Sequence, residues 1–172
     1  MTTKLAQEIA QRYAAMASAK KLGDTVQEAL ALLSRVQSWG SRFPTVLARA
    51  RKNGLPAGMV WQDDLIEYFS DWEFLVSDLR LMERALSNLS FEDQELSDLA
   101  NLALDAVYEP PRKARPDYAM EVFDFLTDPE ATEENIAYKV QRMKEWNRNF
   151  EHWIGRGVHN LQGVLKKVSK KG

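Results

Sequence analysis

Cysteine is absent from all 172 residues. That removes disulfides, thiolate metal sites and cysteine nucleophiles together, and it fits a reducing compartment. Histidine is nearly as scarce. His152 and His159 are the two present, with glycines between them, and no Glu-x-x-His or His-x-x-x-His pair exists. Zinc and carboxylate-bridged di-iron sites therefore lose their usual ligands. No Gly-x-Ser-x-Gly elbow and no phosphate-cradling glycine loop occurs. No apolar run approaches the roughly 20 residues of a membrane span. The stretch Met1–Glu8 lacks an apolar core of signal-peptide length, so cytoplasmic placement is the expectation.

What is present is helical periodicity almost throughout, with little strand alternation. The fold expected is all-α, an irregular bundle of about seven or eight helices in a single domain over residues 1–172. Leu5, Ile9, Tyr13 and Met16 share one face of a first helix, over about residues 3–21. Gly23 reads as its stop, and Asp24 with Gln27 as the capping box of a second helix that ends at Gly40. A short helix spans about 44–52, and residues 55–59 form a loop. A long helix follows at about 62–88. Ser90 is the expected cap of the next one, over about 91–108. Residues 109–116 hold Pro110, Pro111 and Pro116 with Arg112, Lys113 and Arg115, which reads as an exposed, extended connector. A short helix over about 117–126 precedes an Asp128-Pro129 cap and a second long helix, about 129–154. Gly155 and Gly157 interrupt it, and an amphipathic segment at 158–170 closes the chain, with a basic tail at 166–172 expected to fray.

Charge is sorted along the chain. Residues 1–55 carry a net +6, residues 56–109 a net −11 and residues 110–172 a net +3, inside a total of −2. Such asymmetry points to partners or self-association, although solvated helix faces of different sign give the same tally.

In the acidic middle, Asp64, Glu67, Asp71 and Asp78 fall on one stripe of a helical wheel, bordered by Leu65, Trp72 and Leu79 on one side and Phe74 and Leu81 on the other. Glu95 and Asp98 follow on the next helix. The pairs Asp64-x-x-Glu67 and Glu95-x-x-Asp98 resemble, over about 35 residues, the Glu-x-x-Glu then Glu-x-x-Asp signature of all-helical nucleotide pyrophosphohydrolases, with Asp64 standing where that family has Glu. The resemblance implies magnesium held by these four carboxylates and attack by water on a nucleoside triphosphate. The plainer account is solvated or paired charge, with Glu92 and Glu95 complementing a helix dipole from its first turn.

The basic segments give the other candidate. Residues 139–172 carry a net +7, with Trp146, Phe150 and Trp153 interleaved. Cations track phosphates and aromatic rings stack on unpaired bases. The wheel puts Phe150 in the core and Trp146 and Trp153 at its margin, where covering the core competes with stacking. Asn147 faces inward, placed for a buried interhelical hydrogen bond. Arg42, Arg49, Arg51 and Lys52, the connector cations Arg112, Lys113 and Arg115, and Arg142, Arg148, Arg156, Lys166 and Lys167 make up the candidate surface for nucleic acid or an acidic partner.

The expected function is therefore a non-enzymatic interaction module, a small helical subunit of a larger complex, needing no cofactor. Its basic segments would meet nucleic acid or an acidic surface, and its acidic middle a basic partner or another copy of the chain. The alternatives are the magnesium-dependent pyrophosphohydrolase and a peripheral protein that lays Val158, Leu161, Leu165 and Val168 on an anionic membrane.

Overall fold

The structure, a computed structural model, describes residues 3–52, 59–115 and 132–171, with the side chains of 50–64 excepted. Among the described residues all regular structure is helical. Those residues form four helices: α1 (Lys4–Lys52), α2 (Met59–Ser87), α3 (Gln94–Lys113) and α4 (Glu133–Ser169). The all-α expectation holds. The count of seven or eight helices does not, because most of the expected breaks are absorbed into longer helices. The helix expected over 117–126, the Asp128-Pro129 cap and residues 55–58 of the loop expected over 55–59 lie outside the described residues, and Met59 already belongs to α2.

Three local stop signals fail in α1. It runs 49 residues through Gly23, Gly40 and Pro44. Pro44 has no N–H to give the carbonyl four residues back, which normally kinks or ends a helix. Here the orphaned carbonyl belongs to Gly40, and the side-chain amide of Asn147 on α4 donates to it at 2.9 Å in a buried site. Gly40 also lets α4 come close: a β-carbon there would lie 2.5 Å from Phe150 Cε1. Glycine, proline, asparagine and phenylalanine thus form one interhelical lock. The inward hydrogen bond expected of Asn147 is this one.

The proline-rich stretch behaves in the same way. Pro110 and Pro111 are buried inside α3, and Ala114 behind them is fully buried, so residues 109–113 are helix and not an exposed connector. Pro110 leaves the Ala106 carbonyl without its helical donor. Opposite it sits Gly157 of α4, whose missing β-carbon would meet that oxygen at 2.9 Å and Pro110 Cγ at 3.0 Å. Gly155 and Gly157 therefore do not end the last helix. α4 begins at Glu133, capped by Thr132, and continues to Ser169 in place of the expected break after 154. α3 is capped by Asp93, not Ser90: its Oδ1 accepts from the backbone N–H of Glu95 at 2.8 Å and of Leu96 at 3.3 Å.

The helices alternate in direction. Gly40 meets Asn147 and Gly23 meets Val168 between α1 and α4. Arg42–Asp71 and Arg35–Asp78 register α1 against α2. Lys171–Glu95 at 2.6 Å and Trp146–Ala114 set α3 antiparallel to α4. The buried side chains of all four helices form one cluster, with Trp39, Phe43, Phe150, Leu33 and Met143 at its centre. Its aromatic part is dense. Trp39 stacks on Tyr68 at 4.4 Å and lies 4.8 Å from Trp72 and 5.4 Å from Phe150. Trp39 Nε1 donates to the Tyr68 carbonyl, and Tyr68 Oη donates back to the Trp39 carbonyl at 2.7 Å.

Two apolar stripes end differently from expectation. Leu161, Val164 and Val168 are buried and Leu165 packs against the core, so the stripe of 158–170 docks inside the bundle and is not offered to a membrane. No helix among the described residues is long and apolar enough to cross one. The basic tail is held as well: Val168 is 3% exposed and Lys171 binds Asp93 and Glu95. At the other end of the chain, residues 3–17 are all exposed, including Leu5, Ile9, Tyr13 and Met16.

Candidate functional site

Trp146 marks one level of the bundle at which three helices meet. Its ring lies 5.4 Å from Phe43 of α1, and its indole N–H is shared between the carbonyls of Ala114 and Arg115 at 2.9 and 2.8 Å. Arg115 there takes a left-handed turn, φ 49°, which closes α3. The last part of α1, the last turn of α3 and the first half of α4 therefore share one end of the molecule.

That end collects most of the candidate cations. Arg42 and Arg49 come from α1, Arg112, Lys113 and Arg115 from α3 and the residue after it, and Arg142 and Arg148 from α4. All seven are exposed. Arg51 and Lys52 belong to the same final turns of α1, but their side chains lie outside the described residues. Lys144, not singled out in sequence, joins them. With Arg148 it rims a groove of about 530 Å³ whose floor is Phe43, Pro44, Leu47 and Ala48. Glu151 is the acid on that rim. The other candidates lie further along α4. At 1.5 Å per residue, Arg156 stands about 21 Å along α4 from Arg142, and Lys166 and Lys167 about 36–38 Å away, toward the opposite end.

The cations differ in how far they are already engaged. Arg42 binds Asp71 at 3.1 Å and sits 5.7 Å from the Tyr68 ring. Arg112 binds Glu83 at 2.8 Å and lies 3.4 Å over the Tyr108 ring. The Glu83 carboxylate is the main reason its pKa is raised. Arg156 covers Trp153 at 5.1 Å. Among the described residues, Arg49, Lys113, Arg115 and Arg148 take part in no ion pair, so their fields face solvent.

Of the carboxylates of the magnesium alternative, Glu67 does not come together with Glu95 and Asp98. Glu67 adjoins Tyr68, which stacks on Trp39 at the level of Trp146 and Phe150. Glu95 is bound to Lys171, past the far end of α4. Some 21–25 residues along α4 and just past it separate those levels, about 32–38 Å. Asp98 accepts from Gln94 at 2.8 Å beside Glu95, and the Asp64 side chain lies outside the described residues. Among the described residues no group of three or more His, Asp or Glu side chains could hold a metal ion. The spacing that looked like a shared site is two helix faces at opposite ends of the bundle.

The acids have structural partners instead. Asp71 and Asp78 tie α2 to α1 through Arg42 and Arg35. Asp93 and Glu95 clasp Lys171. The backbone N–H of Leu96, then those of Glu95 and the Lys171 ammonium, hold the Asp93 carboxyl below its ordinary range, and Glu95 in turn raises Lys171. Of the aromatics, Trp146 and Phe150 are core and Trp153 is half-buried. No protein-family model matches the chain, and no curated protein or solved structure matches it either.

Proposed function

We propose that this chain is a non-enzymatic binding module whose basic end takes the phosphate backbone of a nucleic acid, as a small helical subunit of a larger complex. The observation that carries the proposal is that Arg49, Lys113, Arg115 and Arg148, on the last part of α1, the end of α3 and the first half of α4, are exposed and form no ion pair among the described residues. Cations fixed on helices keep their spacing, so several phosphates are met at once and their counterions are released together. Lys144 and Arg148, above the Phe43–Ala48 floor, add an edge where the flat face of a base or sugar covers apolar surface.

The test is binding to single-stranded RNA, single-stranded DNA and duplex DNA over a salt series. Log K should fall linearly with log salt, with a slope that counts the phosphates engaged. Reversing Arg49, Arg115 and Arg148 to Glu should abolish binding, whereas reversing Lys166 and Lys167 should leave most of it. Failure to bind any of the three at low salt, alongside binding to an acidic polypeptide, would move the proposal to an acidic protein partner.

A further inference from the structure

Among the described residues, the first turns of α1 have no helix packed along them; Tyr13, Met16 and Ala17 line a groove with Leu165, Val168 and Ser169 at the end of α4. The register of α1 against α4 ends where Gly23 meets Val168, and α4 stops at Ser169. Ala19 is the first buried residue of α1. Residues 4–17 therefore project past the bundle by about 21 Å. Along this arm Leu5, Ile9, Tyr13 and Met16 form one stripe, exposed by 64%, 45%, 69% and 52%. Ala6, Ala10 and Ala17 border it on one side, Lys4, Glu8 and Arg12 on the other. A lone helix of this length is marginal in water, and one with four large apolar residues on one face lacks a cover.

We propose that residues 4–17 of α1 pair antiparallel with the same residues of a second copy of this chain. Two features of the arm select that occupant and that direction. With the twofold axis near residues 10 and 11, Leu5 of each copy lies opposite Met16 of the other, and Ile9 opposite Tyr13, so the stripe covers itself in four layers. In an antiparallel helix pair each flank also faces its own kind. The alanine flanks meet and allow close approach, and Glu8 of each copy comes beside Arg12 of the other, giving two symmetric ion pairs. In a parallel pair the charged flank would face the alanine flank, and Glu8 would find no cation. The arm and the turns behind it, residues 4–21, carry a net +3, so antiparallel pairing also keeps Lys20 and Lys21 of the two copies apart. The leading end of each arm, Lys4 and Leu5, then lies against the other copy's Met16 and Ala17, at the edge of a groove of about 510 Å³ that they share with Leu165 and Val168. Such an isologous contact closes on itself as a dimer.

Sedimentation of the full chain over a concentration series tests this. The wild type should show a reversible monomer–dimer equilibrium. Glu8→Lys alone and Arg12→Glu alone each place like charges together twice and should weaken the dimer by about tenfold. An equal mixture of the two variants restores both ion pairs and should recover wild-type affinity. Because the chain has no cysteine, oxidised Ala10→Cys should form a covalent dimer near the twofold axis, and Leu5→Cys should not. These side chains are exposed, so the unfolding midpoint of each variant monomer should be unchanged. A wild type that stays monomeric throughout overturns the proposal, as does a mixture that associates no better than its components. Cross-linking through Leu5→Cys would show a parallel pair instead. Strengthening by Glu8→Lys, together with loss of the dimer in Phe74→Ser/Leu81→Ser, would place the arm on the acidic, apolar face of α2.

Discussion

Asn147 is a polar side chain buried in the core, and its position follows from a proline more than one hundred residues away in sequence. Truncating it to alanine should strand the Gly40 carbonyl and cost about 1–3 kcal/mol in urea unfolding. Pro44→Ala returns an N–H to that carbonyl, so in its background Asn147→Ala should cost distinctly less, with a coupling of about 1 kcal/mol in the double-mutant cycle. Full additivity would mean that the Asn147 bond does not answer the missing proline donor. Tyr68 supplies a second test. Burial pushes its phenol well above the ordinary value of 10.0, against the opposing pull of Arg42, while the unfolded chain ionises near that value. The folded pKa is the higher one, so the unfolded state holds fewer protons above pH 10 and stability should fall as pH rises beyond it. Tyr68→Phe should flatten that alkaline limb of the stability curve, and an unchanged limb would place the titration elsewhere.

At the scale of elements, local stop signals and tertiary contacts compete, and in α1, α3 and α4 the contacts win. Gly40 and Gly157 are required by close approach between helices, while Gly155 and Gly163 have nothing within 4 Å of where a β-carbon would stand. Alanine should therefore sort them. Gly40→Ala drives a methyl into the Phe150 ring and should destabilise by about 1–3 kcal/mol. Gly163→Ala gains helix propensity and should stabilise by about 0.5–1 kcal/mol. Thermal unfolding of the two variants decides; a neutral Gly40→Ala would show that Phe150 moves aside freely. The all-α class and the cores of the long helices were legible because apolar residues recur at helical spacing over many turns. The number of helices was not, since glycine and proline end a helix only where nothing beyond it repairs the backbone.

Across the whole molecule, antiparallel registers sort the charged groups in ways that sequence order hides. They set the last part of α1 and the end of α3 beside the first half of α4, so Arg49, Lys113, Arg115 and Arg148, far apart in sequence, fall in one half of the bundle. The same registers send Glu67 and Glu95 to opposite ends, which dissolves a motif that spacing alone had suggested. They also leave the first turns of α1 without a helix beside them among the described residues, although their stripe looks no different in sequence from one that faces a core. Basic end and apolar arm lie at opposite ends of α1, so binding and pairing make separate demands on the surface. A paired molecule would hold two basic ends facing away from each other.

By itself the sequence determined the helical class, the chemistry excluded by missing cysteine and sparse histidine, the sorting of charge, and the inward face of Asn147 and Phe150. These are properties of composition and of the 3.6-residue period, which act within a few turns. Only the tertiary structure decided where helices end, which carboxylates are neighbours, which cations are already paired and which apolar stripe is uncovered among the described residues. Each of those depends on a partner far along the chain: an amide for a proline's orphaned carbonyl, a ring against a glycine, an ammonium beside a carboxylate. Local periodicity says which side of a helix is apolar, and the packing of the other helices says whether anything covers it.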